Sequence, residues 1–199
     1  SYIYTYNGCQ FTNNFTVTIN ATAAAPVAAT TVNLCQGISA TALVATVTTG
    51  NILQWYTAAT GGTASTTAPT PSTSTLGTTI HYVSQRNTTT GCESPRTAIT
   101  VNVNANPTIT GVQSMTVGGT TLQLTGSGTP DATTPWESSN TGVASISSNG
   151  VVTAVGGGTT TITYRNVEGC SITQNLRVLD CAQPFGNALN FDGTNDFLI

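Results

Sequence analysis

Apolar and polar residues alternate along several short stretches of the chain, which is the pattern of a half-buried β-strand. The alternation runs through residues 15–20, 98–103 and 176–179. Threonine and valine are frequent in the chain, and their branched Cβ atoms suit the pleated surface of a strand. No stretch repeats its apolar residues at the 3.6-residue period of a helix for long. The pattern therefore predicts an all-β chain.

One hairpin pattern occurs three times. Each copy has a tyrosine-containing strand, a polar turn that ends in Gly-Cys, and a second strand. The cysteines of the three turns are Cys9, Cys92 and Cys170, so the spacings are 92 − 9 = 83 and 170 − 92 = 78 positions. A repeating domain of about 80 residues explains this spacing. Each copy is followed by a short linker that ends in proline, which cannot donate to a strand ladder.

The repeat and its linkers divide the chain into four pieces. Residues 1–21 are predicted to be the terminal hairpin of a preceding domain, and residues 22–105 and 106–180 two complete domains. Residues 181–199 would begin a following domain. Short strands separated by turn signals predict tandem β-sandwiches, arranged as beads on a string. In the first complete domain, strands are expected at residues 41–48, 52–56, 79–85 and 97–103.

Four large aromatic residues are the predicted core of these sandwiches: Trp55 and Tyr82 in the first complete domain, Trp136 and Tyr164 in the second. A tryptophan can also serve as a platform for a sugar ring. One tryptophan per sandwich is, however, what a core of this size needs, so the core position is favoured.

The five cysteines favour disulfides, because none lies in a C-x-x-C spacing or near a histidine cluster. A bridge between Cys35 and Cys92 is predicted, since both positions can lie at one end of a sandwich. It would close a loop of 92 − 35 = 57 residues and contribute about 3–4 kcal/mol. Cys170 then has no partner in its own domain, and a bond to Cys181 is disfavoured. Cys9 and Cys181 are expected to pair with flanking sequence.

Charge excludes two classes of partner. The net charge is −3, there is no lysine, and the four arginines are dispersed. Binding to nucleic acid or to anionic membranes needs a basic cluster, so neither is expected. No run of about 20 apolar residues could insert into a membrane, and the N-terminus lacks the regions of a signal peptide. The expected partners are neighbouring domains of the same long chain, and surface glycans or proteins are further candidates.

The residues offer little catalytic or metal-binding chemistry, so no enzyme and no cofactor are expected. His81 is the only histidine, and any Ser-His-Asp triad would have to use it, but its alternating surroundings favour an ordinary strand position. Residues 156–158 are three glycines that predict a turn, because a strand and not a helix follows them. Asp192 and Asp196 are candidate calcium ligands in the truncated last piece.

The second complete domain resembles the group 2 bacterial immunoglobulin-like family. The resemblance rests on the motif Trp-Glu-Ser-Ser-Asn at 136–140 and on residues 143–164, which contain Gly-Val-Val-Thr-Ala and Thr-Ile-Thr. The first domain, with Leu-Cys-Gln-Gly at 34–37 and Gly-Cys-Glu-Ser-Pro-Arg at 91–96, is similar to immunoglobulin-like domains of giant surface proteins of gliding Bacteroidota. Residues 188–197 look like the opening strand of a laminin-G or concanavalin-like jelly roll.

These resemblances imply tandem immunoglobulin-like domains in an SprB-like gliding-motility adhesin exported by the type IX pathway. The expected function is a non-catalytic stalk at the outer surface of the cell, which spaces a distal binding head. An alternative is the accessory or carbohydrate-binding region of a secreted polysaccharide-degrading enzyme. A third reading is that an exposed edge strand of these sandwiches binds a protein partner.

Overall fold

The computed structural model describes residues 2–14 and 16–180, apart from the side chain of Phe11. Across these residues the chain forms seventeen β-strands and no helix. The chain divides into two compact units. The first contains the chain up to Val32, Thr41–Pro71 and Thr79–Val101. The second contains Asn33–Ala40, Ser72–Thr78 and, among the described residues, 102–180. The predictions for Cys181, Asp192, Asp196 and the piece from residue 181 lie outside the described residues.

The first hairpin differs from the prediction in its second strand. Strand β1 (Tyr2–Tyr6) pairs with β2 (Cys9–Asn13), so that Tyr6 lies opposite Cys9. Asn7 and Gly8 both have positive φ, as a two-residue hairpin turn requires. Such a turn starts the second strand at once, and β1 is fully paired when the chain reaches Asn13. The strand predicted at residues 15–20 is therefore wrong: residues 16–20 lie in no strand.

The next six strands build one larger and one smaller sheet. The four-stranded sheet has the order β4-β8-β7-β6, and β3 pairs with β5. Strands β6 and β7 are antiparallel, with Tyr56 opposite Tyr82. The strands are β3 (Val27–Ala28), β4 (Thr31–Cys35), β5 (Ala45–Thr46), β6 (Asn51–Tyr56), β7 (Gly77–Asn87) and β8 (Thr97–Asn104).

Of the strand predicted at residues 41–48, only the two residues of β5 form a strand in the structure. The backbone N–H of Leu43 donates to the Pro69 carbonyl over 2.9 Å, and that of Thr48 donates to the Gln85 side chain over 2.9 Å. These backbone groups are therefore satisfied outside a strand ladder. Gln85 is fully buried, and its Nε2 also donates to the Ala24 carbonyl, which fixes the linker before β3.

Strand β4 was not predicted, and it runs parallel to β8. Thr100 N donates to Thr30 O, and further along Gln36 N donates to Asn104 O, both over 2.9 Å. Cys35, the last residue of β4, therefore lies beside the end of β8.

The predicted Cys35–Cys92 disulfide is wrong because the two cysteines belong to opposite ends of β8. Cys92 precedes the first residue of this eight-residue strand, and Cys35 lies beside the last. The strand alone spans about 23 Å, whereas a disulfide needs Cα atoms within about 7 Å. Cys35 is instead bonded to Cys170, with 5.6 Å between their Cα atoms. Cys92 carries a free thiol.

A second sandwich is formed by the nine strands from β9 to β17. Its larger sheet has the order β10-β17-β16-β13, its smaller sheet the order β11-β15-β14, and β12 pairs with β9. Strands β16 and β17 form the predicted hairpin, with Tyr164 opposite Ile172. The strands are β9 (Ile109–Thr110), β10 (Ser114–Thr116), β11 (Leu122–Gln123), β12 (Thr125–Gly126), β13 (Trp136–Ser138), β14 (Ala144–Ile146), β15 (Val151–Ala154), β16 (Gly158–Arg165) and β17 (Ser171–Leu179).

The core of the second sandwich comes from inward-facing residues of both sheets. On β16 every second residue from Thr160 to Tyr164 is buried, as the period of a strand requires. Each fully buried aliphatic side chain contributes roughly 1.5–3 kcal/mol. The core cluster contains Leu124, Val143, Ala144, Val152, Ile162, Leu176 and Val178.

The four aromatic residues predicted as core are buried to different degrees. Trp55 is 3% exposed and Tyr164 1% exposed. Trp136 is partly buried against the core of the second sandwich, and its ring centroid lies 4.6 Å from that of Tyr164. Tyr82 is half-buried on β7.

Candidate functional site

The hairpin turns that carry Cys92 and Cys170 are closed by similar hydrogen bonds, although the first turn is one residue longer. In the first, Asn87 N donates to Cys92 O over 2.9 Å; in the second, Asn166 N donates to Cys170 O over 3.0 Å. The glycine before each cysteine has positive φ, which glycine adopts at no steric cost. Equivalent positions in the repeat therefore hold a free thiol in one copy and a disulfide in the other.

The disulfide lies within the second compact unit. Cys170 is completely buried and immediately precedes β17, while Cys35 ends β4 and is half-buried. Gln36, which follows Cys35, makes two hydrogen bonds next to the disulfide. Its backbone N–H donates to Asn104 O, and its carbonyl accepts from the side chain of Asn106. The sequence contained one signal for this bond: Cys170 has no possible partner within residues 106–180.

A cavity of about 310 Å³ opens in the first unit beside the end of β6. This volume is at the lower end of the range for small-molecule sites. Trp55, Tyr56 and Pro69 supply apolar lining, and Thr63 and His81 supply polar groups. No lining residue is an Asp, Glu, Lys or Arg, and His81 contributes the one imidazole of the lining.

The loop that closes this cavity is fixed in place. Ser65 and Trp55 exchange two backbone hydrogen bonds, of 2.8 and 2.9 Å. The Ser65 hydroxyl also donates to Thr67 O and accepts from Thr67 N. The cavity is therefore formed before any ligand arrives.

His81 lies on β7 and contributes an unsatisfied polar atom. Its Nδ1 is buried and has no hydrogen-bond partner among the described residues. Such an atom costs free energy unless a partner fills the space in front of it. The structure thus places this histidine in the wall of the cavity and shows no serine or carboxylate bonded to Nδ1.

Next to the cavity, Glu93 holds Tyr56 and Arg96 in a polar cluster. The Tyr56 hydroxyl donates to Glu93 Oε1 over 2.7 Å, and the Ser84 hydroxyl donates to the same oxygen. The Arg96 guanidinium carbon lies 3.3 Å from the centre of the Tyr56 ring, and its Nη1 donates to Ala58 O. This cluster joins the segment after β7 to the end of β6.

The cluster lowers the pKa of Glu93. Burial alone would raise this pKa, but the hydrogen bonds from Ser84 and Tyr56 and the positive charge of Arg96 outweigh it and lower the pKa below 4.5. A carboxyl whose pKa is lower in the folded state adds stability above its unfolded pKa. That stability is lost as the pH falls through the lower, folded value.

Glu93→Gln is therefore expected to lower stability at pH 7, and the difference from the wild type should shrink as the pH falls through the ordinary pKa of a glutamate and then through the lower, folded pKa of Glu93. Asp131, whose pKa is lowered to about 2 by N–H groups of Thr134 and Thr133 and by the Thr133 hydroxyl, titrates in an overlapping range, but it is present in both chains and cancels in the difference. Urea denaturation at several pH values measures the effect. The control is Glu137→Gln, at an exposed position of β13; equal pH profiles for the two variants would contradict the prediction.

The described residues contain neither a membrane-spanning helix nor a metal-ligand cluster. Over residues 2–14 and 16–180, no helix has the length and apolar character to cross a bilayer. Over the same residues, no group of three or more His, Cys, Asp or Glu side chains could hold a metal ion.

Residues 23–104 match the family model described as "Ig-like domain CHU_C associated". A comparison with curated proteins found no match. Solved structures that resemble the chain include Sidekick-1 immunoglobulin domains 1–5, 15% identical over 78% of this chain and 39% of that one, with a TM-score of 0.34. Another is the SGBP-B protein of the Bacteroides ovatus mixed-linkage glucan utilization locus, 14% identical over 76% and 43%, with a TM-score of 0.27.

The chain spans less than half the length of these two solved proteins. The family match covers strands β3 to β8 and thus both sheets of the first sandwich. Residues 23–104 are an immunoglobulin-like domain, and the chain has an all-β, immunoglobulin-like sandwich fold.

Proposed function

We propose that this chain is a non-catalytic structural segment of a large extracellular adhesin, in which it spaces a binding head from the cell surface. The observation that carries the proposal is the Cys35–Cys170 bond, which joins a residue of the immunoglobulin-like domain to the sandwich that follows it in sequence. A covalent bond across 135 positions adds mechanical continuity, and an oxidising compartment is where such bonds persist.

The repeated hairpins support a serial arrangement of domains in the parent protein. Residues 1–21 are the terminal hairpin of a preceding sandwich in this proposal, and residues 22–105 and 106–180 are two complete ones. Tyr2 and Tyr6 of the first hairpin are 64% and 68% exposed, as expected for a hairpin that packs on further strands in the longer protein. The resemblance to surface proteins of gliding Bacteroidota adds type IX export, an outer-surface location and a role in gliding to the proposal.

A replacement experiment separates spacing from binding. In the parent protein, residues 22–180 are exchanged for two unrelated β-sandwiches of equal total length, and a second variant lacks these residues. A spacer predicts that the exchange preserves cell adhesion, whereas the deletion weakens it. Loss of adhesion in the exchange variant, with normal amounts at the cell surface, would show that these domains bind the target themselves.

The cavity beside β6 favours one second candidate function, the recognition of a neutral glycan. Apolar walls with a few hydroxyl groups suit a sugar that presents both CH and OH groups. Trp55 forms part of the wall, although only 3% of its surface is exposed.

A glycan array with the wild-type chain tests this candidate. The matched variant is His81→Phe, which removes the polar groups of the imidazole from the cavity wall and keeps an aromatic ring. Binding that this substitution abolishes would support a glycan site. Binding that it leaves intact, or no binding by the wild type, would reject the site.

A further inference from the structure

We infer that the Cys35–Cys170 disulfide acts as a load bypass: tension along the chain crosses the bond and leaves residues 36–169 outside the path of force. The inference deepens the proposed stalk function and rests on it for its biological purpose. Its physical basis is the covalent topology alone.

Force applied to the two ends of a polypeptide follows the shortest covalent route. From the N-terminal side it passes through β4 to Cys35, crosses the S–S bond to Cys170, and continues directly into β17. The alternative route through the backbone is 135 residue steps long, whereas the bonded Cα atoms are 5.6 Å apart. The longer route therefore stays slack while the bond is intact.

The slack portion contains most of the folded chain. Strands β5 to β16 lie between the two cysteines in sequence. Five residues of the core cluster of the second sandwich also lie there. Even if these strands unfolded, their residues could not lengthen the tensed chain. Those five core residues are Leu124, Val143, Ala144, Val152 and Ile162.

The strand at the C-terminal end of the bypass, β17, is held by pairing on both of its sides. Strand β17 begins one residue after Cys170 and pairs with β16 along eight positions, from Ser171 to Val178. It also pairs in parallel with β10. The load that leaves the disulfide therefore enters a strand at the centre of its sheet.

The stretched chain has very different lengths with the disulfide intact and with the disulfide reduced. The 135 residue steps between Cys35 and Cys170, at about 3.4 Å each, amount to about 460 Å of extended chain. With the bond intact, none of this length is available. A segment with this bypass keeps its reach under tension, which is what a spacer has to do.

A second consequence concerns backbone cleavage. A cut anywhere between residues 36 and 169 leaves both ends of the chain joined through the disulfide. The loop around Gly61 and Gly62 is exposed and is a natural place for such a cut.

Single-molecule stretching tests the inference. The full 199-residue chain carries a handle at each terminus, and Cys9→Ser, Cys92→Ser and Cys181→Ser prevent other disulfides. After complete unfolding, the oxidised molecule is expected to be about 460 Å shorter than the same molecule after a reductant is added. Equal lengths would overturn the inference. Reduction of an already folded molecule avoids any variant that fails to fold.

A cleavage arm uses the same chain with a protease site inserted at Gly61-Gly62. The cut chain is expected to bear load when oxidised and to part when reduced; parting in the oxidised state would also overturn the inference. Neither arm depends on adhesion. If the replacement experiment showed that these domains bind the target, the stalk function would fail while the measured lengths could still establish the bypass.

Discussion

Cys35→Ser is expected to lower the free energy of unfolding by about 4–5 kcal/mol. The disulfide closes a loop of 135 positions, and in the chain-entropy model a loop of this size restricts the unfolded chain by about this amount. Cys35 is only half-buried, so a serine at this position adds little further cost. The effect approaches the whole stability of an ordinary domain, which is about 5–15 kcal/mol. Urea denaturation followed by tryptophan fluorescence and circular dichroism measures it.

Cys92→Ser is the matched control. Cys92 occupies the hairpin position equivalent to Cys170, but its thiol is free. Its replacement is expected to change stability by less than about 1 kcal/mol. Reductant should bring the wild-type chain close to Cys35→Ser and leave that variant unchanged. A wild-type chain that is insensitive to reductant, or equal losses for both substitutions, would contradict the assigned pairing.

The sequence predicted the closing hairpins well where turn and strand signals agreed. Residues 176–179 alternate, Gly169 suits a turn, and the structure pairs β16 with β17 there. The alternation at residues 15–20 led to the wrong prediction of a strand there. The Asn7-Gly8 turn pairs β1 with β2, which begins at Cys9, so residues 16–20 are left without a partner strand. Periodicity shows that a segment can be a strand; the turn geometry decides which segment is paired.

The disulfide could not be assigned from spacing alone. Its location depends on β4 running parallel to β8, which moves Cys35 to the end of β8 far from Cys92. Parallel pairing joins strands that are distant in sequence and has no local signature comparable to a hairpin turn. The missing partner for Cys170 indicated a bond outside residues 106–180, but it did not identify Cys35.

The cavity could not be predicted from the sequence either. Its wall depends on the Ser65–Trp55 backbone pairing, which folds an irregular loop onto the end of β6. The residues of that loop are mostly small and polar, and such a composition predicts a loop without predicting where it docks. His81 was correctly expected to be a strand residue, whereas the burial of its Nδ1 depends on tertiary packing.

Gly150→Ala is expected to destabilise the second sandwich by about 3 kcal/mol or more. Gly150 is buried and has a φ of +81°, which costs a residue with a Cβ about 1–2 kcal/mol. A Cβ would also overlap the Leu124 carbonyl oxygen, which belongs to the backbone and cannot rotate away. Relief would require the segment at Leu124 to move and would strain the 2.9 Å hydrogen bond from Leu124 N to Gly150 O. Thermal and urea denaturation measure the loss.

Gly118→Ala separates the cost of the positive φ from the cost of the steric overlap. Gly118 has nearly the same φ, +75°, but nothing lies within 4 Å of the position of its Cβ. Its substitution should cost only the backbone strain, about 1 kcal/mol, so the two variants should differ by about 2 kcal/mol. Equal losses would mean that the contact between Gly150 and Leu124 does not constrain the sandwich. A difference of the expected size would show that this close approach of two backbone segments fixes how the turn at residues 147–150 packs onto the segment at Leu124.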